Sequence, residues 1–215
     1  MAKVCIFTTV HSASDTRVYH RQAKTLSGAG YEVTLIAQRP KTPVQRVPVA
    51  NIRVKELPIP RNRLDRILRL SVEAFRWAWR EQADIYHFHD PELLFLGLLL
   101  RVLGKKVIYD VHEDVPLQVL SKPWIPSSLR HMVSWIVRFF EGSLSRFFSA
   151  VVTVTPCIAE RFAGNGCEVI LVQNYPHLNE LQNHLCAPVE VPTQPQSVIY
   201  VGGITAIRGI REMVE

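Results

Sequence analysis

The sequence predicts an α/β domain in which a doubly wound, mostly parallel sheet carries helices on both faces. Strand-like segments alternate with segments of helical spacing along the chain as far as residue 172. The strands are continuous hydrophobic runs, as expected where helices cover both faces of a sheet. The composition, 47% hydrophobic and 20% charged, is that of a globular protein with a packed core.

The first four strands are predicted from apolar, β-branched or alternating runs. They are expected at residues 3–10, 31–37, 52–58 and 84–89. A proline-rich stretch at 40–48 predicts a loop between the second and third strands.

Three helices are predicted in the same region, at residues 15–27 and 64–81 between these strands and at 91–103 after the fourth strand. In the first, Val18, Ala23 and Leu26 recur at helical spacing, with Ser14 or Asp15 as the expected cap. The third should begin at Pro91 behind an Asp90 cap, because proline suits the first helical position.

The later part of the α/β region continues the alternation. Strands are predicted at residues 105–111, 150–154 and 168–172, and a short helix at 156–162. Residues 112–126 are expected to form a loop, followed by a long helix that Ser127 or Ser128 caps and that ends near Phe148. This helix contains HMVSWIVRFFEGSLSRFF, which is apolar on one side, and core packing is the expected explanation.

The prolines of the next stretch predict a domain boundary. We expect residues 1–175 to form one domain, 176–196 to be a linker, and 197–215 to begin a second β/α domain with its first strand and helix. The sequence is therefore expected to be a fragment of a two-domain protein.

Composition and charge exclude several classes. The four cysteines have no zinc-ligand spacing, which favours reduced thiols and a cytoplasmic location. No signal peptide is apparent, and the longest apolar run is far below the roughly 20 residues of a membrane span. The net charge of +6 comes mostly from arginine, but no nucleic-acid-binding motif is present, so nucleic acid is not an expected partner.

Polar residues gather where the predicted strands end, which is the edge at which open parallel sheets bind ligands. After the first strand come His11, Ser12, Ser14, Asp15, Thr16 and Arg17, without the glycine fingerprint of a dinucleotide site. After the fourth strand come His87, His89 and Asp90. A histidine pair two residues apart can begin a metal site, but no second ligand cluster is obvious, so no metal is predicted.

The loop after the fifth strand is the strongest candidate site. Asp110, His112, Glu113 and Asp114 lie within five residues, and such a cluster is costly to assemble without a partner or a use. His112 can exchange hydrogen bonds with a sugar hydroxyl or act as an acid or base. At the end of the chain, Gly202 and Gly203 precede a helix that carries Arg208, an arrangement that suits a phosphate.

An ordered set of segments resembles glycosyltransferase family 4, a retaining family with the GT-B fold. The resemblance rests on SDTRVYHRQAKTLSGAGYEVTLIA, ADIYHFHDPELLFLG, KVIYDVHEDVP, VVTVTPCIAERF, VILVQNYP and VIYVGGITAIRGIREMVE. It implies two Rossmann-like domains across a cleft, the first receiving the acceptor and the second holding a nucleotide-sugar donor. The family's paired-glutamate donor motif would lie beyond Glu215.

The resemblance also implies roles for individual residues. His112 matches the histidine that contacts the donor sugar near the reaction centre, and Arg208 matches the basic residue that binds the donor diphosphate. Gly203 stands where many members have a second arginine. The remaining expected residues line the acceptor side of the cleft: Ser14, Asp15, Thr16, Arg17, His89, Asp90 and Glu113.

The expected activity is retaining transfer of a sugar from an NDP-sugar to a glycan or lipid-linked acceptor, without metal or other cofactor. The fragment is expected to be inactive alone. The arginine-rich residues 61–80 could rest on an anionic membrane at its inner face. Two alternatives are a stand-alone flavodoxin-like module that binds a phosphorylated ligand or a protein, and a GT-B sugar-nucleotide 2-epimerase.

Overall fold

The computed structural model describes residues 1–42, 49–164 and 166–175, together with residues 211 and 213. Its sheet has seven strands in the order β3-β2-β1-β4-β5-β6-β7, and every neighbouring pair is parallel. The strands are β1 (Lys3–Ser12), β2 (Glu32–Gln38), β3 (Ile52–Leu57), β4 (Ile85–Phe88), β5 (Lys106–Val111), β6 (Ala150–Thr153) and β7 (Val169–Leu171). The chain starts at the sheet centre and winds outward in both directions, which confirms the predicted doubly wound fold.

The described helices occupy the positions between these strands. They are α1 (Lys24–Gly28), α2 (Arg63–Asp65), α3 (Ser71–Glu81), α4 (Leu94–Val102), α5 (Val115–Ser121), α6 (Ser127–Ser145) and α7 (Pro156–Phe162). Two π-helical segments, Thr16–Ala23 and Arg66–Leu70, run directly into α1 and α3, and a 3₁₀ turn, Pro91–Leu93, precedes α4. In none of these described helices is a stretch long and apolar enough to cross a membrane.

Alternate strand residues divide the core into two layers. One layer, with Phe7, Phe88 and Tyr109, is covered by apolar residues of α3, α4 and α7 and by Phe148. The other, with Ile6 and Leu35, is covered by residues of the Thr16–Ala23 segment. Because side chains alternate along a strand, both faces of the central strands are buried, as the hydrophobic runs predicted.

Two local predictions were wrong, and a third was right in position only. Residues 112–126 are not all loop, because α5 forms there, capped by the Asp114 side chain, which accepts from the backbone of Leu117. Neither Ser127 nor Ser128 caps α6, whose N-cap is Pro126. Asp90 stands at the N-cap of the 3₁₀ turn but makes no capping hydrogen bond, since its side chain is engaged elsewhere.

Core packing does not explain the apolar side of α6. Trp135 is 65% exposed and Phe139 is 53% exposed, whereas Glu141 and Ser145 are the buried residues of this helix. Glu141 accepts hydrogen bonds from the Tyr109 hydroxyl (2.7 Å) and from Arg161 Nη1 (2.5 Å). The helix therefore docks partly through a polar network and presents its large aromatic residues outward.

The chain divides into two compact units, Met1–Asn174 and Tyr175–Glu215. The predicted linker and nearly all of the predicted second-domain strand and helix lie outside the described residues. The domain boundaries therefore stay a prediction, and the site below belongs wholly to the first unit.

Gly97 of α4 lies where the helix packs closely on the sheet. A Cβ at this position would lie 2.6 Å from Phe88 Cε1 and 3.2 Å from Phe148 Cε1, two rings that are themselves buried. We expect Gly97→Ala to lower the free energy of unfolding by about 1–3 kcal/mol, because overpacking outweighs the gain in helix propensity. Urea unfolding measures this, and Gly28→Ala, where nothing lies within 4 Å, is the control. An unchanged or raised stability in Gly97→Ala would show that the rings can move apart.

Candidate functional site

The predicted site residues meet at the carboxyl edge of the central strands. The loop after β1, the residues after β4 and the end of β5 lie side by side, because β1, β4 and β5 are adjacent in the sheet. The sheet order changes direction between β1 and β4, so this is the switch point at which doubly wound folds bind ligands. Residues from three separate sequence segments thereby form one cluster.

The centre of the cluster is the Asp110 carboxylate, which is 0% exposed. Arg17 Nη2 donates to Asp110 Oδ1 at 2.9 Å and to Oδ2 at 3.0 Å, and Gln22 Nε2 also donates to Oδ2. Arg17 Nη1 donates in turn to Asn174 Oδ1 at 2.8 Å, and Arg21 donates to the same oxygen. Arg17 is itself buried, so the pair is an internal ion pair that joins β5 to the first helical segment.

The π-helical geometry of Thr16–Ala23 explains why two side chains of one segment reach the same carboxylate. Arg17 and Gln22 are five residues apart, and π-helical i→i+5 bonding places such residues on nearly the same face. Asp15 caps the segment by accepting from the backbone N–H groups of Arg17 (2.8 Å) and Val18 (3.0 Å), which confirms one of the two predicted caps.

Four histidines surround this ion pair. His87 Nε2 lies 3.3 Å from Asp110 Oδ2, and His112 Nδ1 lies 3.7 Å from Asp110 Oδ1. The ring of His89 stacks on that of His87 with centroids 5.1 Å apart, and the rings of His11 and His112 are 4.8 Å apart. Both nitrogens of His89 are buried without a hydrogen-bond partner among the described residues.

The electrostatics of the cluster follow from burial. Burial opposes ionisation of Asp110, but its contacts with His89, His112 and His87 outweigh this and hold its pKa well below the usual range. Burial holds the pKa of His89 well below its usual value, so His89 is neutral at pH 7. The Arg17 guanidinium, which donates two hydrogen bonds to Asp110, places a positive charge directly beside this carboxylate.

His11 and Asp15 form a second, more exposed pair in the loop after β1. His11 Nδ1 lies 3.2 Å from Asp15 Oδ2. Burial alone would lower the pKa of His11, but the hydrogen bond to Asp15 and the charges of Asp90, Asp15 and Glu113 raise it. The pKa of Asp15 is lowered despite its partial burial, because it accepts from His11 and from backbone N–H groups. The pair gives this loop a fixed geometry beside His112.

Asp90 ties β1 to the end of β4. Its Oδ2 accepts from the Thr9 backbone N–H at 2.6 Å and from the Thr8 hydroxyl at 2.8 Å, and the residue is buried. Glu92 accepts from the Thr9 hydroxyl at 2.8 Å and pairs with Arg66, while its burial and the nearby Asp90 raise its pKa. The described contacts of Asp90 are thus structural, and its role on the acceptor side stays a prediction.

The other predicted residues occupy varied positions. Ser14 is half-buried beside Ser12, with hydroxyl oxygens 3.2 Å apart, while Thr16 and Glu113 are exposed. The predicted phosphate-binding residues Gly202, Gly203 and Arg208 lie outside the described residues. The structure adds Gln22 and Asn174 to the cluster, neither of which was predicted.

The site also places three residues of metal-ligand types together. The ligand atoms of His87, His89 and Asp110 lie within 4.8 Å of one another. The sequence did not reveal this cluster, because Asp110 comes from the neighbouring strand β5. The Arg17 guanidinium and the Gln22 amide already donate to the Asp110 carboxylate, so these donors occupy the oxygens that a cation would use.

Comparison with known proteins identifies a family for most of this region. Residues 16–174 match the family described as Glycosyl transferase 4-like domain. No match was found among curated proteins.

Solved structures share the fold at low sequence identity. Sucrose-phosphate synthase from Thermosynechococcus elongatus aligns with a TM-score of 0.57 and 16% identity over 89% of this chain and 54% of that one. Apo UGT2 of Phytolacca americana aligns with a TM-score of 0.54 and 11% identity over 87% of this chain and 56% of that one. The chain thus spans about half the length of these two structures. A shorter chain of the same synthase is covered over 99% of its length, with a TM-score of 0.53 and 15% identity over 86% of this chain.

Proposed function

The chain belongs to the Glycosyl transferase 4-like domain family, and we propose that it is the acceptor-side domain of a retaining glycosyltransferase. The proposed reaction moves a sugar from an NDP-sugar donor to a glycan or lipid-linked acceptor in cytoplasmic polysaccharide biosynthesis. The observation that supports it best is the position of His112, which lies at the carboxyl edge of the sheet beside a buried Arg17–Asp110 pair.

The proposed role of His112 is to bind a hydroxyl of the donor sugar next to the reacting carbon. Its Nδ1 is buried near Asp110, and the side chain is 14% exposed, so the ring is held by the protein while part of it faces the edge of the sheet. An imidazole fixed in this way provides a preorganised hydrogen bond that needs no reorganisation during transfer. Ser14, Asp15, Thr16, His89 and Glu113 are proposed to line the acceptor side of the cleft.

The donor diphosphate is proposed to bind at Gly202, Gly203 and Arg208. A glycine turn lets a phosphate approach the backbone, and a helix N-terminus with an arginine stabilises the negative charge of the leaving nucleoside diphosphate. Arg17 is not proposed for this role, because its guanidinium is buried and bonded to Asp110. One structural neighbour, UGT2 of Phytolacca americana, has been solved with UDP-2-fluoro-glucose and pterostilbene.

We propose that this reaction needs no metal or other cofactor. In this scheme cationic side chains and a helix terminus stabilise the leaving group. The histidine cluster is instead proposed to support His112. In this proposal the Arg17–Asp110 pair and the neutral His89 hold the His112 ring in place.

Residues 61–80 are the proposed contact with an anionic membrane, where a lipid-linked acceptor would be found. A groove there is lined by Leu68, Arg69, Val72, Glu73, Arg76, Trp77 and Arg80. Leu64 and Leu68 are exposed, but Arg69 is paired with Asp65 and Glu73, which reduces the free positive charge of this surface. The proposed contact is with the inner face of the membrane.

The proposal is tested by donor turnover in a protein that carries this domain together with a donor-binding domain. We expect release of UDP or GDP from one nucleotide sugar on addition of acceptor, with the anomeric configuration of the product retained in its NMR spectrum. An inverted product would exclude the retaining mechanism. Acceptor-independent conversion of the nucleotide sugar to its 2-epimer would instead identify the alternative epimerase.

Calorimetric titration of UDP, GDP and their sugars into the 215-residue chain tests the division of the site. We expect no detectable binding and no activity, because the proposed donor contacts lie mostly in the second domain. Tight, saturable binding would show a complete nucleotide pocket here and would favour the stand-alone binding module.

A further inference from the structure

The outward face of α4 and α6 carries a continuous apolar surface. On α6 the exposed apolar residues recur at helical spacing: Leu129, Met132, Trp135, Ile136, Phe139 and Phe140. On α4 the exposed Phe95 meets Phe140 with ring centroids 5.5 Å apart, which joins the two helices into one surface. Exposed apolar patches of this kind on a folded domain mark interaction sites.

The rings on this surface are ordered among themselves rather than inserted into the core. Trp135 stacks on Phe139 with centroids 5.6 Å apart, and Phe139 packs edge-to-face on Phe140 at 5.8 Å. The inward side of α6 buries Glu141 and Ser145. A helix that faces its carboxylate inward and its aromatic residues outward gains no stability from those aromatic residues in water, so their position requires another explanation.

The charges on this surface have one sign. The only acidic residue in α4 and α6 is Glu141, which is buried against Arg161 and Tyr109. Beside the aromatic rings, a groove is lined by Arg138, Phe139, Gly142, Ser143, Arg146 and Gly164. Within the described part of the chain, neither Arg138 nor Arg146 has a carboxylate partner. Two unpaired guanidinium groups next to exposed aromatic rings match the head groups and acyl boundary of an anionic bilayer.

We propose that the outward face of α4 and α6 is a membrane-docking surface that binds anionic lipid bilayers. The aromatic residues of α6 enter the interface between head groups and acyl chains, and Arg138 and Arg146 bind lipid phosphates. This surface is distinct from residues 61–80. The inference does not rest on the glycosyltransferase activity, because binding is measured without donor or acceptor.

Co-sedimentation of the chain with vesicles tests the proposal. We expect binding to vesicles of phosphatidylcholine with phosphatidylglycerol and weaker binding to phosphatidylcholine alone. In high salt the chain should bind both kinds of vesicle equally, because salt screens the charges. The double variant Trp135→Ser, Phe139→Ser should lower the partition coefficient by about tenfold or more, since two aromatic side chains no longer enter the interface. Each of Arg138→Gln and Arg146→Gln should lower it about fivefold on anionic vesicles only.

Trp124→Ser is the matched control. Trp124 is exposed like Trp135, but it packs on Arg63 at 4.0 Å and so lies against the arginine-rich segment 61–80. Because residues 61–80 are themselves a proposed membrane contact, we expect this variant to lower binding less than the α6 double variant does. Loss of binding in Trp124→Ser with full binding in the α6 variant would place the membrane contact at residues 61–80 alone and overturn the proposal.

Two further results would also overturn it. One is failure of the unmodified chain to bind anionic vesicles at low salt. The other is concentration-dependent self-association that the Trp135→Ser, Phe139→Ser variant abolishes, without lipid binding, because the surface would then join two copies of the chain. Circular dichroism melting checks that the variants remain folded; both positions are exposed, so we expect unchanged melting temperatures.

Discussion

Asp110→Asn is expected to lower the free energy of unfolding by about 3–5 kcal/mol, because it leaves the buried Arg17 guanidinium without its counter-charge. Asparagine keeps the size of the side chain, so the effect reports the lost charge rather than a cavity. Arg17 retains the Asn174 oxygen as an acceptor, but an amide oxygen does not balance a buried cation. Urea unfolding at pH 7, followed by circular dichroism, measures the change.

Two controls separate the loss of the ion pair from nonspecific destabilisation at this edge of the sheet. Glu113→Gln removes an exposed carboxylate three residues away and should change stability by less than about 0.5 kcal/mol. The double variant Arg17→Met, Asp110→Asn should be more stable than the sum of the single changes predicts, since neither charge of this ion pair is then left buried without its partner. A loss below about 1 kcal/mol in Asp110→Asn would contradict the pairing described above.

The pH dependence gives an independent check of the same residue. The pKa of Asp110 in the folded state lies well below its unfolded value of about 3.9. Its contribution is therefore fully present above the unfolded pKa and is lost as pH falls through the folded pKa. The stability difference between the unmodified chain and Asp110→Asn should therefore narrow as the pH falls below about 4.

The fold was predictable because its signals are local and redundant. Continuous apolar strands such as residues 3–10 and 105–111 can bury all their side chains only in a sheet covered on both faces. The missed helix α5 shows the limit of this reasoning. Its sequence, VPLQVLS, is short and rich in β-branched residues and proline, and its formation depends on the Asp114 cap and on packing against α6.

The site was only partly predictable, because its central contact joins distant residues. Arg17 and Asp110 are 93 residues apart, and only the adjacency of β1, β4 and β5 brings them together. The sequence placed both near strand ends but gave no reason to pair them. Gln22 was missed because it reaches Asp110 only through the π-helical geometry of Thr16–Ala23, which helical spacing alone does not reveal.

Exposure was the property that sequence reasoning judged least well. The apolar side of α6 looked like a core face, since amphipathic helices usually bury their apolar stripe. The structure buries Glu141 instead, because Arg161 and Tyr109 supply the partners that a buried carboxylate needs. An internal polar partner on another element is not visible in the pattern of one helix.

His112→Ala is expected to lower kcat/KM for sugar transfer by about 10²–10³-fold in a protein that also carries the donor-binding domain. The reason is that a hydrogen bond to the donor sugar, held in place beside Asp110, would be lost in the transition state. Steady-state kinetics with the cognate nucleotide sugar measures this. His112→Asn should recover part of the rate if the role is hydrogen bonding, and none of it if the imidazole transfers a proton.

The control for His112 is His131→Ala, which removes an exposed imidazole from α6 that takes no part in the described contacts of the Asp110 cluster. It should leave kcat/KM with a soluble acceptor unchanged. Because Asp110 lies 3.7 Å behind His112, a fall in activity without a fall in stability separates the chemistry of the imidazole from the structural role of the ion pair. Unaltered turnover in His112→Ala would remove this residue from the mechanism, and the proposed donor contact would then have to come from a neighbouring histidine or from the second domain.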